Sequence, residues 1–346
     1  MVRRNRVRSG LSLAGISLVS GVASGQVLSL SADAPTLDRW MYPFNGTPGT
    51  RAIASIFFSG GEPMFDDRDA QFIVGFDTDG AIPEGLDTGE YRVISATLRA
   101  WIDNDAQFRY DPTPDPTSSF YDPADPEFTA DADVGRPIEV FGVAYRGGFD
   151  LSSWSEGTTY SADPLSEETR TAYAAQFDEL GAPTDVSNQV RDRFDPAPLG
   201  IGMMPTLSPG DEVPAGTEVV FELDLCAPGL QAYFGQSLSG GRVNLAITSL
   251  HPASGGPGGQ QGDTTFPIFR TRENILSILN DQAPKLELTV RVGSPGNYDG
   301  IGGVDFSDVI AFLSDFGAGD PAADLAPPCG LDFSDVIAFL TAFAEG

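Results

Sequence analysis

Histidine and cysteine are almost missing from this sequence, and each scarcity argues against a class of site. The one histidine, His251, lies in a Gly/Pro/Ser-rich stretch. This argues against a Ser-His-Asp triad, a Cys-His catalytic pair and a histidine-rich zinc site. The two cysteines, Cys226 and Cys329, could form one disulfide or remain two buried thiols, and the sequence leaves both alternatives open.

Positive charge is also scarce. The 346 residues include 20 Lys and Arg against 49 Asp and Glu, a formal net charge of −29. Such a surface has little with which to neutralise phosphates, which argues against nucleic acid as a partner. Calcium, or a salty medium, fits the charge better.

No apolar run is long enough to cross a bilayer, and the sequence predicts no transmembrane segment in the mature chain. The first 25 residues have a basic start, a short apolar run and small residues before a cut after Gly25. This pattern is typical of an export signal. We therefore expect a secreted or cell-surface protein, with the periplasm as an alternative.

Strands dominate the middle of the chain. Segments such as "YRVISATLRAWID" and "KLELTVRV" alternate apolar and polar residues, which is typical of antiparallel sheets with one buried face. At least six such segments predict a mainly β domain, an antiparallel β-sandwich over residues 26–293. One helix is predicted as an insertion over residues 166–180, with Ser166 as its N-cap and Gly181 after its end. The face predicted to be buried in the first segment comprises Ile94, Ala96, Leu98, Ala100 and Ile102.

One long stretch between strands, residues 103–133, carries repeated Asp-Pro pairs and many acids. The sequence supports two interpretations of it. It is either a solvated, proline-stiffened loop, or a cation site or binding lip bearing Phe108, Tyr110, Phe120 and Tyr121.

Four segments together resemble a family of secreted proteins. The stretch "AQFIVGFDTDGAIPEGLDTGEYRVISATLRAWI", then "WSEGTTY", "GGRVNLAITSL" and "FRTRENILSILNDQAPKLELTV" follow the order seen in DNRLRE-type modules. The resemblance covers roughly residues 50–293. It implies a jelly-roll β-sandwich and suggests polysaccharide binding. Trp40, Tyr42, Trp101 and Trp154 could then stack on sugar rings or pack in the core; Trp101, opposite the predicted buried face, is the best candidate for an exposed ring.

The C-terminal part contains a duplication. Residues 305–313 and 332–340 are identical, and each copy continues an apolar pattern of helical spacing. We expect two short helices that bury matching faces against each other. The face expected at this contact comprises Phe306, Val309, Ile310, Leu313 and Phe316, with Phe333, Val336, Ile337, Leu340 and Phe343 in the second copy.

The stretch before the first helix, "NYDGIGGVDFSD", has the spacing of an EF-hand calcium loop. Gly302 falls where that loop turns sharply, and position five is Ile301, which offers no side-chain ligand. The second loop is poorer, because Ala326, Pro328 and Cys329 replace ligands and the glycine. The candidate calcium ligands are Asn297, Asp299, Gly303, Asp305 and Asp308 in the first loop, and Asp324, Asp332 and Asp335 in the second.

These loops and helices resemble a dockerin module over residues 294–346, and the "DFSDVIAFL" form is similar to the GC-type dockerins of planctomycete secreted proteins. The resemblance implies bound Ca2+ and docking onto a cohesin-like or cell-surface protein. The alternative is that Asp305 and Asp332 only cap their helices. Phe312 and Phe339, placed about 200° round the helix from Ile310 and Ile337, are expected on the outer face as partner contacts.

Two functions remain open at this point. The first is a non-catalytic extracellular protein whose sandwich binds polysaccharide or is structural, attached through the C-terminal module. The second is a secreted polysaccharide-degrading hydrolase or lyase carrying the same module. No motif singles out a catalytic pair of carboxylates.

Overall fold

A computed structural model describes residues 26–60, 62–253, 265–326 and 329–346. The predicted export signal lies outside the described residues. Within these ranges no helix has the length and apolar character needed to cross a membrane. The strands are β1 (Gln26–Ala32), β2 (Leu37–Met41), β3 (Ile53–Ser55), β4 (Gln71–Asp77), β5 (Tyr91–Trp101), β6 (Ile138–Tyr145), β7 (Ala172–Phe177), β8 (Pro183–Asp185), β9 (Gly200–Ile201), β10 (Glu218–Glu222), β11 (Arg242–Ser249), β12 (Ile268–Arg270) and β13 (Lys285–Val292).

Helices are fewer and mostly short. The α-helices are α1 (Gln189–Asp192), α2 (Leu230–Ser239), α3 (Ile275–Asn280), α4 (Phe306–Ala318) and α5 (Phe333–Glu345). Single 3-10 turns span Thr88–Glu90, Thr117–Phe120 and Pro321–Ala323.

The protein is mainly β with antiparallel sheets, as the alternating segments predict. One sheet has the order β1-β13-β5-β10. A larger sheet has the order β2-β4-β11-β6-β7-β8, with β9 also paired to β6, and β12 pairs with β3 in a small third sheet. One hydrophobic core joins the two large sheets: Leu98 and Leu288 of the first meet Val74 and Leu245 of the second.

The larger sheet is buried on both faces. Its other side packs under the segments around Trp154 and Val186, in a second core that includes Phe141 and Ala174. Strands buried on both faces are mostly apolar, as β4 and β6 are, whereas β11 also carries the buried polar residues Asn244, Thr248 and Ser249.

A bulge in β5 shifts the buried face predicted from alternation. Thr289 pairs with Ser95, but the next residue, Val290, pairs with Val93, so Ile94 is the extra residue. Before the bulge the inward residues are therefore Tyr91 and Val93, while Ile94 is only half-buried. The other four predicted residues, Ala96, Leu98, Ala100 and Ile102, are buried as expected.

The helix predicted over residues 166–180 is wrong. Ala172–Phe177 is instead β7, an inner strand paired with β6 and β8. Its tyrosine, Tyr173, faces the inter-sheet core, while Ala172 and Ala174 face the second core. Alanines favour helix in isolation, but burial on both faces of a sheet outweighs that preference.

Helix α2 was not predicted by sequence pattern. It starts after Gly229, whose φ of 70° lies in the left-handed region, and its Leu230, Tyr233, Phe234 and Leu238 are buried in the inter-sheet core. Tyr233 donates its hydroxyl proton to the carbonyl of Asn244 in β11 and accepts from the Val143 amide in β6. The helix thus closes one end of the core.

The duplicated segment forms two helices, as predicted, with a separate core of its own. The buried cluster of this core comprises Tyr298, Phe312, Ala323 and Phe339. This C-terminal module is fastened to the β domain by a Cys226–Cys329 disulfide with a Cα–Cα distance of 5.3 Å. Of the two alternatives for the cysteines, the structure shows the pair.

Candidate functional site

Phe312 and Phe339 lie at the centre of the C-terminal module, not on its outside. Phe312 is 0% exposed and Phe339 is 1% exposed. Their rings stack with centroids 4.3 Å apart and planes within 4°, and Tyr298 meets both edge-on. The prediction that these two side chains are exposed partner contacts is wrong.

The prediction failed because each helix carries apolar residues on more than one side. Helical periodicity alone therefore does not show which side faces the core. Asp308, at the last position of the first loop, faces that loop because it accepts the amides of Asp299 and Asp305. Phe312 follows one turn later on the same side of α4. The loop-facing carboxylate was therefore the signal that could have located the core.

Of the ten residues expected between the helices, six are exposed instead. Val309 and Phe316, with Val336 and Phe343, only flank the core. We call the exposed set the twin apolar faces: Phe306 (72% exposed), Ile310 (59%) and Leu313 (52%) on α4, and Phe333 (73%), Ile337 (53%) and Leu340 (50%) on α5.

Both helices begin with the predicted caps. Asp305 and Asp332 accept the amides of Ser307 and Ser334, and each forms a capping box with the aspartate three residues later. The structure therefore shows the caps. Ser307 donates its amide and its hydroxyl to the same oxygen, Oδ1, of Asp305.

The first loop retains one oxygen that suits a cation. Asn297 donates its Nδ2 to the Gly302 carbonyl at 3.3 Å, while its Oδ1 is buried without a hydrogen-bond partner. Gly302 has a φ of +82°, as a sharp turn requires. The three first-loop aspartates do not bring their oxygens within 4.8 Å of one another, however, and Gly303 is exposed. The first loop thus fits calcium only in part.

In the second loop an arginine supplies positive charge. Asp324 Oδ1 lies 3.2 Å from Arg92 of β5, and its Oδ2 accepts the Gly330 amide. Asp335 accepts the amides of Leu325, Ala326 and Asp332. Asp335 thus has both oxygens engaged, as Asp308 has in the first loop, while Asp324 Oδ1 is buried beside Arg92 without a hydrogen bond. Sequence reasoning missed Arg92, which is remote in the chain.

Trp101 does not offer a sugar-binding platform. It is 9% exposed, and the Lys285 ammonium lies 5.8 Å from its ring centroid. Trp154 is 1% exposed and donates its ring N–H to Thr171. The expectation of an exposed Trp101 is wrong, because Glu218 of β10 pairs with it and the Lys285 side chain of β13 lies over its ring.

The other aromatic pair considered from the sequence, Trp40 and Tyr42, does line a concave surface. Their rings stack with centroids 4.7 Å apart, and Tyr42 meets Phe57 edge-on. We call the concavity the aromatic pocket. It has a volume of about 410 Å³ and is lined by Trp40, Tyr42, Ser55, Phe57, Ser59, Glu62, Phe65, Asp69, Ala253 and Phe266.

One carboxylate of the aromatic pocket is unusual. Asp69 is 2% exposed; its Oδ2 accepts the Ser59 hydroxyl at 3.1 Å, and its Oδ1 is buried without a partner. Burial raises its pKa to about 7, although Arg170 acts in the opposite direction. Near neutral pH this group can either donate or accept a hydrogen bond. The pocket therefore combines apolar ring faces with one adaptable polar group.

His251 is not placed for catalysis. It is 3% exposed, packs edge-on against Phe108 and hydrogen-bonds the Ser249 hydroxyl at 2.6 Å. Burial lowers its pKa to about 3, so the ring stays neutral under ordinary conditions. The Ser249 hydroxyl is also buried and donates to the Pro137 carbonyl at 2.9 Å.

No protein-family model matches the sequence, and no curated protein matches it either.

Proposed function

We propose that this is a secreted or cell-surface, non-catalytic protein that binds carbohydrate through its β domain and is attached to a partner through its C-terminal module. The observation that carries the attachment is the pair of twin apolar faces. Six large apolar side chains, each at least half exposed, occupy equivalent positions on two duplicated helices. Monomeric proteins rarely leave a contiguous apolar surface uncovered unless it has a partner.

The strand order supports a jelly roll for the β domain. Along the chain, β1, β5, β10 and β13 belong to one sheet, and β4, β6, β7 and β11 belong to the other. The chain therefore crosses repeatedly between the sheets, as two Greek keys require. Sandwiches of this kind often carry binding sites on their loops and edges, which agrees with the position of the aromatic pocket at β2, the edge strand of the larger sheet.

The duplication supports a dockerin-like role for the module. Two copies of one helix present similar apolar surfaces, which suits a protein partner of cohesin-like shape. A calcium ion in the first loop, held by Asn297 and Asp308, would fix the start of α4 and so orient one of the two faces.

Retention on the producing cells tests the attachment. A variant carrying Ile310→Ser and Ile337→Ser should shift from the cell surface to the medium by at least tenfold. The matched control is Ile278→Ser with Leu279→Ser on α3, which removes similar exposed apolar area (67% and 70% exposed) from the β domain. Equal release of both variants would refute attachment through the twin apolar faces.

Carbohydrate binding is supported by a separate observation, the stacked Trp40 and Tyr42 at the aromatic pocket. Sugar rings bind such faces through their C–H edges, and a carboxyl such as Asp69 can bind their hydroxyls. On a polysaccharide array we expect Trp40→Ala to weaken retention about tenfold, a loss of about 1.4 kcal/mol. Phe306→Ala, which removes an exposed ring from the other module, should leave retention unchanged.

The same array tests the alternative that the protein is a polysaccharide-degrading enzyme. Release of reducing ends or unsaturated products by the wild type, lost in Asp69→Asn and Glu62→Gln, would show an enzyme at the aromatic pocket. Retention without release supports a binding protein. An array on which the wild type binds nothing would refute carbohydrate binding.

A further inference from the structure

The acidic stretch between β5 and β6 is a folded substructure. Phe108 and Tyr110 are 6% and 3% exposed, so they belong to the core and do not form a binding lip. The turn at Thr117–Phe120 is held because Thr117 donates to the Phe194 carbonyl and Arg136 lies 4.4 Å from the Phe120 ring centroid. These contacts anchor the stretch to the rest of the β domain.

Three of these carboxylates converge. Asp111, Asp115 and Asp133 each place an oxygen within 4.8 Å of the others, and no other group of three Asp, Glu, His or Cys side chains does so in the described ranges. Gly135 makes the convergence possible: a side chain there would come within 2.9 Å of the Arg109 carbonyl and of Asp111 Cβ.

The buried member of this group lacks a partner. Asp111 is 3% exposed, and its Oδ2 is buried without any hydrogen bond. Its Oδ1 accepts the amide and hydroxyl of Thr113 at 2.8 and 2.6 Å. The same hydroxyl lies 3.0 Å from Asp133 Oδ2, but it has one proton and can satisfy only one of the two carboxylates. The group is thus short of positive charge and of donors.

Nearby positive charge is insufficient. Arg136 lies 2.7 Å from Asp115 and also pairs with Asp131, so its charge is shared by two carboxylates, and within the described ranges no ion pair is found for Asp111 or Asp133.

We propose that Asp111, Asp115 and Asp133 form a binding site for one divalent cation of the calcium type. Calcium takes oxygen ligands at about 2.3–2.6 Å, so two ligands of one ion lie at most roughly 5 Å apart, which the cluster satisfies. The donors are all carboxylate oxygens, which suit hard cations and not zinc. Asp133 is exposed, which leaves room for water ligands.

The ion would join the start of the acidic stretch, at Asp111 and Asp115, to its end at Asp133. Its role would be structural, because it would hold the two parts of the stretch together next to β6. This site is independent of the first loop of the C-terminal module, and it does not rest on the proposed carbohydrate binding.

Calorimetric titration of the chelator-treated protein with calcium chloride tests the proposal. The wild type should show a binding event that Asp133→Asn weakens at least tenfold. Asp122→Asn is the matched control: it makes the same change at an exposed position of the same stretch, and its asparagine can still accept the Ala124 amide. Asp308→Asn separates this event from any binding in the C-terminal loop.

Asp111→Asn should abolish the same event and the calcium-dependent rise in melting temperature. If that buried substitution prevents folding, the exposed Asp133→Asn decides alone. The proposal is overturned if Asp133→Asn binds calcium like the wild type. It is also overturned if Asp308→Asn removes all of the binding.

Discussion

Truncation of Phe312 should unfold the C-terminal module while leaving the β domain intact. The ring is fully buried and stacks on Phe339. Its removal loses about 1.5–3 kcal/mol of burial and about 0.5–1.5 kcal/mol of ring pairing, and it leaves a cavity. For Phe312→Ala we therefore expect a loss of about 3–5 kcal/mol in the free energy of unfolding of the module.

That loss is large for so small a core. In the described residues the core cluster of the module contains four buried apolar side chains, so one ring is a major part of its packing. The β domain has separate cores, so its unfolding should change little. The disulfide keeps the unfolded module tethered, which makes a local measurement necessary.

Hydrogen exchange followed by mass spectrometry provides that measurement. Amides of α4 and α5 should lose protection in Phe312→Ala, while those of β5, β11 and β13 keep it. The control is Phe306→Ala on the same helix, where the ring is 72% exposed and the expected change is within about 0.5 kcal/mol. Equal loss of protection in the two variants would refute the assignment of the core to the loop-facing side of the helices.

Three further outcomes are expected. Burial raises the pKa of Asp69 to about 7, so the folded protein keeps a proton that the unfolded chain loses near pH 4. As the pH rises from about 4 to 7, the free energy of unfolding should therefore fall by up to about 4 kcal/mol relative to that of Asp69→Asn. Urea melts in which the two proteins show the same pH dependence across this range would contradict the prediction. The disulfide closes a loop across a sequence separation of 103 and so restricts the unfolded chain. Changing Cys226 and Cys329 to serine should lower the free energy of unfolding by about 4 kcal/mol in thermal melts. A thermal melt that reduction of the wild type leaves unchanged would contradict this. Arg92→Met leaves the buried Asp324 without its cation and should lower module stability by about 1–3 kcal/mol by hydrogen exchange; Arg99→Met, at a more exposed pair, serves as its control.

The sequence by itself determined the main architecture of the chain. Period-two alternation identified strands such as β13, because an antiparallel strand with one wet face must alternate. The duplication identified α4 and α5 together with their caps Asp305 and Asp332, because caps and helical spacing are local properties. The sequence also indicated the acidic stretch as one of two alternatives, a cation site or a solvated loop. It did not indicate which carboxylates of the stretch converge.

Tertiary structure decided what local pattern left open. Ala172–Phe177 is a strand because neighbours cover both of its faces, and this contact outweighs the helical preference of its alanines. Phe312 is a core residue because the loop turns Asp308, and with it that side of α4, inward. Arg92 meets Asp324, and Cys226 meets Cys329, only because the module packs against the β domain. Each of these outcomes depends on contacts between residues that are far apart in the chain. The spacing of residues within one segment carries no information on such contacts.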